Sequence, residues 1–168
     1  DSTVSVFDLG SFTEIKRINV RINPASMKTD NQGNVYVISK GDYDNIPACL
    51  QCISSSTDEV VKVIETEVVG FDIYANFLYF YTYNHTTNKA SFQVLDMQTE
   101  TIVNPRFIDP EQQPQTPYGI NINPFNGDVY ITDALNYTST GDVYCFDRNG
   151  KKKFQFEAGL FPKKTIFN

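Results

Sequence analysis

Four short segments repeat along this chain, and their spacing constrains the fold more than any other feature. VSVFD at 4–8, CLQCIS at 49–54, SFQVLD at 91–96 and DVYCFD at 142–147 share one register, and their last residues, Asp8, Ser54, Asp96 and Asp147, lie 46, 42 and 51 positions apart. A period of about 40 to 50 residues is that of four-stranded repeats stacked side by side, as in propeller blades. The clearest copy is 121–156, where strands of Val, Tyr, Ile and Phe are separated by Asn126-Gly127, a polar loop through Tyr137, and Arg148-Asn149-Gly150. Glycines in such positions supply the positive backbone angles that tight hairpins need, so the unit reads as an antiparallel meander.

A second strand repeats in step, as VYVIS at 35–39, LYFYT at 78–82 and VYITD at 129–133, with Tyr36, Tyr79 and Tyr130 in one column. A weaker outer strand is visible from Glu14, Glu59 and Lys152. In the third strand of each repeat, Val6, Cys52, Val94 and Cys145 fall on one face while Phe7, Ile53, Leu95 and Phe146 fall on the other. Apolar residues on both faces require a sheet that is covered on both sides. The fold class expected is therefore all-β, a β-propeller of about three and a half four-stranded blades within a seven-bladed ring. Its parts are a half blade at 1–22, blades at 23–68, 69–104 and 105–159, and the first strand of a further blade at 160–168. A ring needs roughly 4 to 8 blades, so either a missing N-terminal half or a second copy in a homodimer is expected to complete it.

Charge and composition exclude several classes of partner. Lys and Arg number 14 against 20 Asp and Glu, a net charge of -6, which provides no field for nucleic acid. The Lys151-Lys152-Lys153 run reads as a solvated hairpin end. Apolar runs such as 77–81 are of strand length, far short of the ~20 residues of a membrane helix. The chain begins at Asp1 without a methionine, so a processed or trimmed N-terminus is expected. Cys52 and Cys145 stand where Val6 and Val94 stand elsewhere, as small buried hydrophobes would. Cys49 lies on the other face of its strand from Cys52, which disfavours a shared metal or redox role.

Enzyme signatures are nearly absent. His85 is the only histidine, no G-x-S-x-G turn accompanies it, and Asp42-Tyr43-Asp44 lacks the glycine and distal glutamate of a calcium loop. A non-enzymatic protein without metal or cofactor is expected. Chemistry is instead concentrated in long connections that a propeller gathers at one end. Asp42-Tyr43 aligns with Asn136-Tyr137, and these tyrosines read either as turn residues of the repeat or as contact surface. Tyr83, His85, Arg106, Phe107 and Tyr118 are not repeated and are the better ligand candidates. The connection at 104–119 is long enough to suggest function. Tyrosine offers a flat amphipathic face at small entropic cost, which suits recognition of a small molecule or another protein. A metal-dependent hydrolase or lyase using Asp42, Asp133 and Asn136 is the alternative from another class.

The stretch PYGININPFNGDVYITDALNYTSTGDVYCFDRNGKKKFQFEAGLFPKKTIF at 117–167, with GNVYVISKGDYDN at 33–45, resembles the C-terminal half of the YncE-like seven-bladed propeller proteins of Bacteroides and relatives, the DUF5074 group. The most specific pieces are the D-Y or N-Y loop followed by G-x-V-x-x-x-D and the closing A-G-x-x-P at 158–162. The resemblance implies an exported surface or periplasmic lipoprotein about twice this length. It also implies, for a subset of the group, capture of corrinoids, the vitamin B12 class, for an outer-membrane transporter.

Overall fold

Short turns between pleated segments leave each strand to pair with its neighbour in sequence, and that is the connectivity within every sheet. The computed structural model describes residues 1–84 and 86–168. It divides into two compact units, Asp1–Val68 and Val69–Asn168.

In the first unit, β1 (Thr3–Asp8) pairs antiparallel with β2 (Thr13–Asn19). Strands β3 (Pro24–Thr29), β4 (Val35–Ser39), β5 (Cys49–Ser54) and β6 (Glu59–Ile64) form a meander in that order. Ile18, Val20, Val37 and Ile53 are buried together, with Val4, Val6, Val35 and Val60 packed around them. Strand β5 is buried from Cys49 to Ile53, whereas β6 alternates and leaves Val61 and Val63 exposed. That gradient separates an inner strand covered on both faces from an outer one.

The second unit holds two meanders. One is β7 (Gly70–Tyr74), β8 (Phe77–Asn84), β9 (Lys89–Asp96) and β10 (Thr101–Asn104); the other is β11 (Pro117–Ile122), β12 (Val129–Asp133), β13 (Asp142–Phe146) and β14 (Lys152–Glu157). Tyr79, Tyr81, Phe92 and Val94 of the first sheet pack with Ile120, Ile122, Val129, Ile131 and Phe146 of the second. The leading strands adjoin, and the Ile122 amide donates to Asp72 Oδ2 at 2.8 Å. Both units are thus all-β, built of propeller-like blades.

Register bears on the cysteines. Tyr36 faces Cys52, Tyr79 faces Val94 and Tyr130 faces Cys145 across the second and third strands. Cys49, Cys52 and Cys145 are all buried and free, and desolvation pushes each thiol above its ordinary pKa. A buried protonated thiol behaves as a small hydrophobe rather than a nucleophile.

The segment 160–168, expected as the first strand of a further blade, belongs to no sheet in this chain. It lies along the last meander, where the Thr165 amide donates to Asn121 Oδ1 at 2.8 Å and the Phe167 ring meets Tyr130 edge-on at 5.0 Å. Gly119 permits this approach, because a Cβ there would stand 2.1 Å from the Lys163 carbonyl oxygen. No helix among the described residues is long and apolar enough to cross a membrane.

Candidate functional site

Three connections converge at one end of the second unit: β8 to β9, β10 to β11, and β12 to β13. Their anchor is Asp133, the last residue of β12, which is completely buried. Its Oδ2 accepts from the Gln115 amide at 2.7 Å, and its Oδ1 from the amides of Thr116 and Leu135, both at 2.9 Å. A carboxylate with three charge-assisted partners can hold a connection of this length against the sheet.

Above that anchor an open groove of about 870 Å³ runs between the β8–β9 and β10–β11 connections. Tyr83, Lys89, Arg106, Gln113 and Gln115 are among the residues lining it. Gln113 is fixed through Nε2, which donates to the Ile108 carbonyl at 3.1 Å. Beside the groove three rings form a shelf, with Tyr118 and Tyr137 edge-on at 6.0 Å and Phe161 at 6.3 and 6.1 Å from them. The Lys163 ammonium lies 5.8 Å from the Tyr118 ring centroid, within cation–π range. Burial raises the Tyr137 phenol above its ordinary pKa, and the phenols of Tyr83 and Tyr118 add to the rise.

Solved structures share this architecture, among them the following two. One is the hydrazine synthase of Kuenenia stuttgartiensis, at 20% identity with a TM-score of 0.70, over 95% of this chain and 48% of that one. The other is a functionally unknown protein from Desulfotomaculum acetoxidans DSM 771, at 20% identity and a TM-score of 0.62, over 95% and 47%. The likeness is one of fold. The chain spans about half the length of each of those proteins. No protein-family model matches the sequence, and no curated protein matches it either.

The residues expected to bind ligand are distributed unevenly. Tyr83 and Arg106 meet at the groove, and Tyr118 and Tyr137 meet on the shelf. Phe107 corrects the expectation: it is 3% exposed and packs edge-on against Tyr79 at 5.3 Å, so it anchors its connection in the core and offers no contact surface. Asp42 and Tyr43 belong to the first unit. There Asp42 Oδ1 accepts from the amides of Asp44, Asn45 and Ile46, led by Ile46 at 2.7 Å, and these bonds lower its pKa. Asn136 Oδ1 likewise accepts from the amides of Thr138 and Ser139, at 3.0 and 2.9 Å. Both side chains thus close their own loops as Asx turns. Tyr43 and Tyr137 follow with φ of 64° and 61°, the same left-handed geometry in both loops. His85 lies outside the described residues.

Among the described residues, no three His, Cys, Asp or Glu side chains cluster as metal ligands would. Of the trio considered for a metal, Asp133 spends its oxygens on backbone amides, Asn136 closes a turn, and Asp42 closes a turn in the other unit. The sequence reading missed Lys89, Gln113 and Gln115 in the groove and Phe161 and Lys163 at the shelf. The A-G-x-x-P ending was a signal for the last two, since Pro162 is seated where a Cβ on Gly141 would come within 2.7 Å of its Cδ.

Proposed function

We propose that this chain is part of a non-enzymatic, seven-bladed β-propeller that binds a small molecule at the loop end of its second unit. One observation carries the reading: Tyr83 of β8 and Arg106 of the β10–β11 connection line one groove, and the rings of Tyr118, Tyr137 and Phe161 cluster at the same end. A preformed concavity with a few convergent polar groups is what small-molecule sites share, and 870 Å³ falls in their usual range of about 300–1,000 Å³. Its mechanism is stacking on flat rings and hydrogen bonding from groups already held in place, so little ordering entropy is lost on binding. The resemblance to the YncE-like DUF5074 group supports an exported lipoprotein as its setting. Exposed apolar side chains on the first and last sheets, such as Phe7 and Ile15 of β1 and β2 and Phe154 and Phe156 of β14, suit a ring completed by further blades, from a longer polypeptide or from a second copy.

The test is ligand-observed NMR with a fragment library. Fragments that bind the wild type and are lost in Tyr83→Ala and Arg106→Ala variants of unchanged melting temperature support the reading; a library that binds both variants as it binds the wild type overturns it. Corrinoid capture is the narrower form of the proposal, supported by the resemblance alone. Cobalamin absorbance that co-elutes with the protein in gel filtration would establish it, and a colourless protein peak would remove it.

A further inference from the structure

We infer that the groove receives an acidic oligosaccharide, an inference that rests on the small-molecule reading above and assigns its chemical class. Among the described residues, the charged side chains that line it are Lys89 and Arg106, both cationic, although the chain as a whole carries a net charge of -6. Asp109 and Glu111 belong to the same connection but do not line the groove: Asp109 turns its Oδ1 to the Glu111 amide at 3.0 Å, capping a 3₁₀ turn at Pro110–Gln112. Asp133 beneath is committed to three backbone amides. The ligand therefore bears negative charge, and a guanidinium is the side chain best shaped to meet a carboxylate in two parallel hydrogen bonds.

The remaining lining excludes a purely apolar acid. Carboxamides of Asn88, Gln113 and Gln115 and the hydroxyl of Ser91 supply both donors and acceptors, which is what a molecule rich in hydroxyl groups requires. Tyr83 contributes a flat face and is oriented by its hydroxyl, 3.5 Å from Asn88 Oδ1. Aliphatic ring hydrogens of a sugar can lie on such a face while its hydroxyls reach the amides. An open groove, as opposed to an enclosed slot, accommodates a chain that enters and leaves. Acid, hydroxyls, a flat apolar face and extended shape together describe a uronate-containing saccharide.

The experiment is calorimetric titration of the whole chain with trisaccharides of galacturonate, mannuronate and glucuronate, and with the galacturonate trisaccharide as its methyl ester. At least one uronate is expected to bind in the micromolar to millimolar range, weakening as salt rises. The Arg106→Ala and Lys89→Ala variants should each weaken it about tenfold, the loss expected for a charge-assisted contact. The ester should bind at least as poorly as those variants if galacturonate is the partner. Binding that is indifferent to esterification, to salt or to both substitutions overturns the acidic assignment. So does failure of all three uronates at millimolar concentration. In either case fragments that contact Tyr83 and Arg106 would leave the small-molecule reading standing, whereas a groove that binds neither fragments nor saccharides ends both.

Discussion

Ser39 in the first unit and Asp133 in the second end equivalent strands, each facing the proline that opens its sheet, Pro24 or Pro117. Both are completely buried, yet they solve the entry of the chain differently. Ser39 cannot gather several amides, and it donates its hydroxyl to Gln51 Oε1 at 3.1 Å, while the same oxygen accepts from the Arg21 amide at 2.7 Å. The Arg21 side chain then pairs in bidentate fashion with Glu65, at 2.6 and 2.7 Å. Asp133 alone gathers three amides and carries a much longer connection. The difference teaches that one strand position can either close a short entry with a hydroxyl and a neighbouring amide or anchor a long loop with a carboxylate. The second choice leaves a groove above it.

If the long connection stands on its own anchors, removing them should cost more than removing those of the short one. The largest effect is expected at Phe107, whose ring sits in the core against Tyr79. Phe107→Ala should lower stability by about 3–5 kcal/mol, the cost of a buried aromatic cavity, in chemical denaturation. A loss under about 1 kcal/mol would mean that the loop is not held from the core. Next is Asp133→Ala, which leaves three amides without their acceptor. About 2–4 kcal/mol is expected, together with faster hydrogen exchange at Gln115 and Thr116. Unchanged exchange at those two amides would break the comparison at its centre.

Gln51→Ala should cost less, about 1–2 kcal/mol, since it strands one hydroxyl and one amide. Exchange at Arg21 reports it. The equivalent place in the second unit is Tyr144, opposite Ile131 as Gln51 is opposite Val37. An Asp133→Ser change should therefore not be tolerated alone, and adding Tyr144→Gln should recover part of the loss if the two solutions are interchangeable.

The sheets were legible because pleating leaves its period in the chain. Val129–Asp133 and Lys152–Glu157 are the strands that VYITD and KKFQFE announce, and the column containing Cys52 and Cys145 is set by cross-strand register. Strand β8 runs longer than LYFYT suggested, from Phe77 to Asn84, because its ladder continues through Tyr83 facing Ala90 and Asn84 facing Lys89. Phe107 was misread for a physical reason: the Phe107-Ile108 pair among prolines and charged residues has no periodicity, and the burial of Phe107 depends on Tyr79, far away in sequence. Phe161 and Lys163 reach the shelf through equally long-range contacts, so the groove and shelf were legible only in part, through Tyr83, Arg106, Tyr118 and Tyr137.

The smallest expected effect lies with the phenols. Tyr36 and Tyr130 occupy one column, each opposite a cysteine, but Tyr130 is further enclosed by Phe154 at 6.1 Å and by Phe167 of the tail. Burial, the neighbouring Cys145 and the charge of Asp128 push the Tyr130 phenol up to about 12. Because the folded value is raised, the stability this phenol contributes is fully present below its unfolded value of about 10 and is lost as pH climbs through the folded one. Wild-type protein should thus weaken across that alkaline window, and Tyr130→Phe should flatten the decline while barely changing stability at neutral pH. Phenolate absorbance and denaturant midpoints measured together check it. An equally steep decline in the variant would assign the alkaline sensitivity to other phenols whose pKa burial also raises, Tyr79, Tyr81, Tyr137 or Tyr144, and would show that the tail's enclosure of Tyr130 does not set it.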